Sequence, residues 1–84
     1  MIESKLERID AGVAHFSGGE TLALPGWLDA SLVPDTPEGP AYRLRVGWEG
    51  WRRGAMVPVG VNVARVLQSI QWLRVSLARK VENT

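Results

Sequence analysis

The 84 residues suit one domain and are too few for two. Hydrophobic residues make up 45% and charged residues 23%, the balance of a globular protein and not of a disordered tail. With no cysteine and one histidine, His15, the chain has no means to build disulfides, thiolate chemistry or a cysteine- or histidine-based metal site. No cofactor or metal is expected. No apolar run approaches the roughly 18 residues that cross a bilayer, and Met1–Lys5 leads into no signal-like segment. These features predict a cytoplasmic protein with no membrane partner.

The net charge of +1 hides an asymmetry. Residues 1–40 hold two basic and seven acidic side chains, net −5; residues 41–84 hold eight basic and two acidic, net +6. Such a division suits a surface for an anionic partner, or two oppositely charged halves that simply pack together.

Near the start, Ile2, Leu6, Ile9 and Val13 recur at helical spacing with Gly12 as a stop. The same segment also reads as a strand ending in the turn Asp10-Ala11-Gly12. Val13–Phe16 and Thr21–Leu24 around Ser17-Gly18-Gly19-Glu20 predict a hairpin, stopped by Pro25-Gly26. Trp27–Leu32 reads as a helical turn, and the three prolines of Pro34–Pro40 predict an exposed loop. Tyr42, Leu44, Val46 and Trp48 alternate with Arg43, Arg45 and Gly47, the clearest strand in the chain, with one apolar and one basic face. Glu49-Gly50 turns it back into Trp51-Arg52-Arg53, and a short edge strand follows at Ala55–Val59, where Pro58 sits. The last element is a helix over 62–80, capped by Asn62 and free of glycine and proline. Its stripe Val63, Val66, Leu67, Ile70, Leu73 and Leu77 is expected to cover the sheet, and Arg79 and Lys80 suit its C-terminal dipole.

No nucleophile motif, phosphate loop or fixed carboxylate pair stands out, so the chain is not expected to be an enzyme. His15 is expected to be a solvent-facing strand residue. The four tryptophans say more. Trp48 is expected in the core and Trp51 partly exposed beside Arg52 and Arg53. Trp72 lies about 180° from Val63 on the helical wheel, with Arg65, Val75 and Arg79 on nearby turns. Trp72, Arg65, Val75 and Arg79, with Trp51, Arg52 and Arg53, therefore form the candidate contact set for another protein or for a second copy, paired through the helix as a homodimer. The alternative is nucleic acid, gripped by Arg43, Arg45, Arg52 and Arg53 with Trp51 stacking on bases. A pI near 8.3 is low for that role.

Leu6-Glu7-Arg8-Ile9-Asp10-Ala11-Gly12-Val13-Ala14 resembles the opening strand of a family of small bacterial proteins of unknown function, which reads roughly aspartate-arginine-isoleucine-glutamate-glycine-x-x-alanine. The resemblance continues through Leu24-Pro25, Leu32-Val33-Pro34 and Glu38-Gly39 to a terminal helix. It implies a strand at residues 4–10 and a small β-barrel with a C-terminal helix, and brings no activity or catalytic residues. The chain departs from that pattern in its longer, tryptophan-rich Trp48–Gly60 stretch and its less charged helix. The expected fold is thus a single α+β domain over residues 1–84: a small bent antiparallel sheet or SH3-like barrel of about four to five strands (4–59), closed by one helix (62–80). The expected function is a protein–protein interaction module, an inhibitor or accessory subunit.

Overall fold

A computed structural model describes residues 4–48 and 51–82; of Trp48, Trp51 and Arg52 only the backbone is described. Six strands precede one helix: β1 (Leu6–Asp10), β2 (Val13–Phe16), β3 (Thr21–Ala23), β4 (Leu28–Thr36), β5 (Gly39–Trp48), β6 (Trp51–Pro58) and α1 (Val63–Glu82). The α+β class, the antiparallel pairing and the single C-terminal helix agree with the sequence reading. The strands divide between two open sheets, ordered β1-β2-β3 and β4-β5-β6, and do not close into one barrel.

The first segment is a strand. Ala11 and Gly12 both take positive φ, 51° and 77°, which is the two-residue turn whose twist matches paired strands. At the next turn the two glycines have different duties. Gly19 supplies the positive φ of 92°. Gly18 supplies space, because a Cβ there would lie 2.2 Å from the Ser4 hydroxyl and 2.3 Å from the Glu20 carboxylate. Ser4 donates to that carboxylate at 2.6–2.7 Å, and Ser17 N–H donates to the Lys5 carbonyl at 2.9 Å, so the chain start is tied to the hairpin. The Ser4 hydroxyl, and then Glu20's own backbone, hold the Glu20 carboxyl below its ordinary pKa.

Three expectations are corrected here. Trp27–Leu32 is not a helical turn and Pro34–Pro40 is not a loop: β4 runs through Leu28–Thr36 and pairs with β5, from Leu28 opposite Val46 to Val33 opposite Ala41. Only Pro37-Glu38 is left to turn the chain, with Gly39 at φ 95°. The strand is imposed by its partner, and the prolines are tolerated because β4 is an edge. Pro34 falls at the irregularity between Val33 and Thr36, where a missing N–H is tolerated. Likewise Trp51–Arg53 and Ala55–Val59 are one strand, β6, with Pro58 as its last residue. The expected turn Glu49-Gly50 lies outside the described residues.

The core joins all these parts. Leu6 and Phe16 come from the first sheet, Leu44, Val46 and Val57 from the second, and Val66, Ile70 and Leu73 from the helix. Asn62 caps α1, its Oδ1 accepting from Arg65 N–H at 2.9 Å. The buried helix face takes Val66, Ile70 and Leu73 from the expected stripe and adds Ser69. At about 100° per residue, its centre is rotated roughly 70° from Val63. Leu67 therefore turns out to solvent, 46% exposed, and Val63 and Leu77 sit at the margin of the core. The buried Ser69 satisfies its hydroxyl by donating to the Arg65 carbonyl at 3.2 Å.

Candidate functional site

The rotation of α1 also moves Trp72. It lies not opposite the sheet but on the flank of the helix that borders β6. There it is 48% exposed, with the Arg53 guanidinium 5.4 Å from its ring centroid, within cation–π range. α1 runs back along β6, and the two leave an open cleft of about 320 Å³ lined by Gly54, Ala55, Met56, Arg65, Gln68, Ser69 and Trp72. A half-exposed indole with flanking guanidinium groups is what anchor residues at interfaces look like.

A second hollow, about 370 Å³, lies on the other side of the same strand and is lined by Arg43, Arg45, Arg53, Gly54, Ala55 and Met56. Gly54 has a part in shaping it. It stands opposite Arg45, and a Cβ at residue 54 would lie 3.3 Å from the Leu44 carbonyl and 3.6 Å from Arg45 Cγ. The bare backbone lets the Arg45 stem lie close across the strand.

Between the two hollows runs the free edge of β6. Val59 N–H bonds the Pro40 carbonyl at 3.1 Å, and the register continues with Tyr42 opposite Val57 and Leu44 opposite Ala55. Hydrogen-bonded and non-bonded pairs alternate along an antiparallel ladder. Arg43/Met56 and Arg45/Gly54 are therefore the non-bonded pairs, and the N–H and C=O groups of Gly54 and Met56 point away from β5. Both residues are exposed.

The predicted residues thus divide. Trp72, Arg65 and Arg53 meet at the cleft; Arg43 and Arg45 line the outer hollow with Arg53. Val75, 40% exposed, and Arg79, also exposed, lie farther along α1 and line neither. Arg52 and Trp51 belong to β6, opposite Gly47 and Trp48, but their side chains and that of Trp48 lie outside the described residues. His15 stands in β2 between Arg8 and Thr21, partly exposed on the face opposite the buried Ala14 and Phe16. Among the described residues no cluster of metal-ligating side chains forms, and no helix is long and apolar enough to cross a membrane. The sequence reading missed Gly54, Met56 and Ser69. A glycine inside a strand pattern was the available signal. Comparison with known proteins leaves the site to stand on its geometry, since no family model, curated protein or solved structure matches the chain.

Proposed function

We propose that the chain is a non-catalytic protein–protein interaction module whose contact site is the cleft between β6 and α1. The observation that carries this reading is Trp72: a large aromatic, half exposed, beside an open cleft and under the Arg53 guanidinium. A desolvated tryptophan within a charged rim is the residue type that dominates binding energy at interfaces. Arg65 and Arg53 supply that rim, while Val75 and Arg79 extend the same side of the helix. The test is affinity capture with the tagged chain and its Trp72→Ala variant, after nuclease treatment. Loss of one defined protein with the variant, its circular dichroism unchanged, supports the reading. Equal capture by both sinks it.

A second reading is favoured by the gathering of Arg43, Arg45 and Arg53 around the outer hollow. It makes the module a nucleic-acid binder, with affinity falling steeply as salt rises. Titration of an oligothymidylate at two salt concentrations tests it, and no binding at the lower salt sinks this second reading.

A further inference from the structure

We propose that β6 accepts an extended acidic segment of a partner protein as a fourth strand of the β4-β5-β6 sheet, with the segment's apolar side chains seated in the cleft against Trp72. The proposal rests on the interaction-module reading and names the chemistry of the partner.

Three observations point to it. The first is the state of the strand edges. An unprotected edge strand is a template for another chain, and proteins blunt such edges with prolines, bulges or cover. The outer edge of the sheet at β4 carries Pro34 and an irregularity between Val33 and Thr36. β1 is covered near its start, where Gly60 N–H bonds the Leu6 carbonyl at 2.8 Å and Leu6 N–H bonds the Val61 carbonyl at 2.7 Å. Along β6 the only proline is Pro58, at the end of the strand, and the outward N–H and C=O groups of Gly54 and Met56 find no partner among the described residues.

The second is room. The edge has a hollow on each side, about 320 Å³ toward the helix and about 370 Å³ toward Arg43 and Arg45. Gly54 leaves the centre of the edge without a side chain, so a second backbone can come close. An added strand presents alternate side chains to the two hollows. On the helix side the Trp72 ring and Ala55 offer contact to apolar residues.

The third is charge. The sequence has no acidic residue between Glu49 and Glu82, so neither wall of the cleft carries one. Among the described residues no ion pair engages the guanidinium groups of Arg43, Arg45 or Arg65. Acidic residues on the segment's outer side would meet Arg43 and Arg45. A second copy of this chain would instead bring its own arginines to the same edge, which disfavours self-pairing.

The test uses the ¹⁵N-labelled full chain and a capped heptapeptide that alternates valine and glutamate, followed by nuclear magnetic resonance. The Gly54 and Met56 amides should shift and become protected from exchange, and a peptide with lysine in place of glutamate should leave them unmoved. N-methylating the peptide at its valines or at its glutamates blocks one edge of it at a time. One isomer should bind nearly as the parent, and the other about tenfold or more weakly. Met56→Pro, which removes an outward N–H and no ladder bond, should stay folded and lose the peptide.

Shifts at Trp72 and Gln68 that both isomers produce equally would overturn strand addition and leave the interaction site standing. Silence at Trp72, Gly54 and Met56 alike at millimolar peptide would overturn both. A free chain that sediments as a dimer with the Gly54 amide already protected would give the edge to a second copy. An oligothymidylate that moves these amides where the peptide does not would give it to nucleic acid.

Discussion

Replacing Trp72 with alanine separates an anchor from a core residue, and Leu73→Ala, one position on, is its internal standard. Leu73 is fully buried, and truncating such a leucine costs about 2–5 kcal/mol. Trp72 keeps 48% of its surface exposed. It therefore buries about 100 Å² of a side chain that hides 150–250 Å² when enclosed, worth at most about 2.5 kcal/mol. The better helix propensity of alanine returns about 0.5 kcal/mol, leaving a net cost of about 2 kcal/mol. A domain of this length holds roughly 4–12 kcal/mol in all, so Trp72→Ala should remain folded. The assay is urea unfolding followed by circular dichroism at 222 nm, since fluorescence would change with the lost indole. At about 1 kcal/mol per molar urea, the midpoint should fall by about 2 M for Trp72→Ala and by more for Leu73→Ala. A Trp72→Ala cost equal to or above that of Leu73→Ala would refute the assignment, because the indole would then be serving the core.

Asn62→Ala removes the acceptor at 2.9 Å from Arg65 N–H and should cost about 1 kcal/mol, lowering the melting temperature by about 4–8 °C; no shift would show the cap to be idle. Ala11→Asn at φ 51° should stabilise the first hairpin by about 0.5–1 kcal/mol, read as a higher urea midpoint, because asparagine tolerates this conformation better than alanine. Ser4→Ala should raise the Glu20 pKa toward its ordinary value, followed by the side-chain carboxyl resonance as pH is lowered. The sign follows from the depressed folded value. The Ser4–Glu20 contribution is present above the unfolded glutamate pKa and fades as pH falls through the folded one, so the variant's stability should depend less on pH in that acid window.

What could be read from the sequence is what local chemistry decides. The hairpin turns at Ala11-Gly12 and Gly18-Gly19, the alternation of Tyr42–Trp48 and the Asn62 cap each need only a few neighbouring residues to specify them. β4 was illegible for the opposite reason. Asp29, Ser31 and Pro34 are poor strand formers, and the segment is extended because β5 lies beside it and Pro37-Glu38 returns the chain at the right distance. The helix itself was readable, but its rotation was not. The stripe Val63, Val66, Leu67, Ile70, Leu73 and Leu77 holds three of the buried residues, and only the sheet's position selects which edge of it is buried most deeply. That choice turns Ser69 inward, Leu67 outward and Trp72 toward β6.

The same rotation decides what the basic half of the chain can do. Had Trp72 stood opposite the sheet, its arginine neighbours would have formed a stripe on one helix, separate from Arg43 and Arg45. Instead Arg53 and Arg65 border the cleft on one side of β6, and Arg43 and Arg45 border the hollow on the other. On the outer face of the sheet the positive charge does not spread, because across β4 Asp29 stands opposite Arg45 and Ser31 opposite Arg43. A duplex or a long single strand would need a broad, continuous basic surface for its phosphates. Four arginines drawn to the two sides of one exposed strand edge match a narrower ligand, a single extended backbone that carries acidic groups on one face and apolar groups on the other.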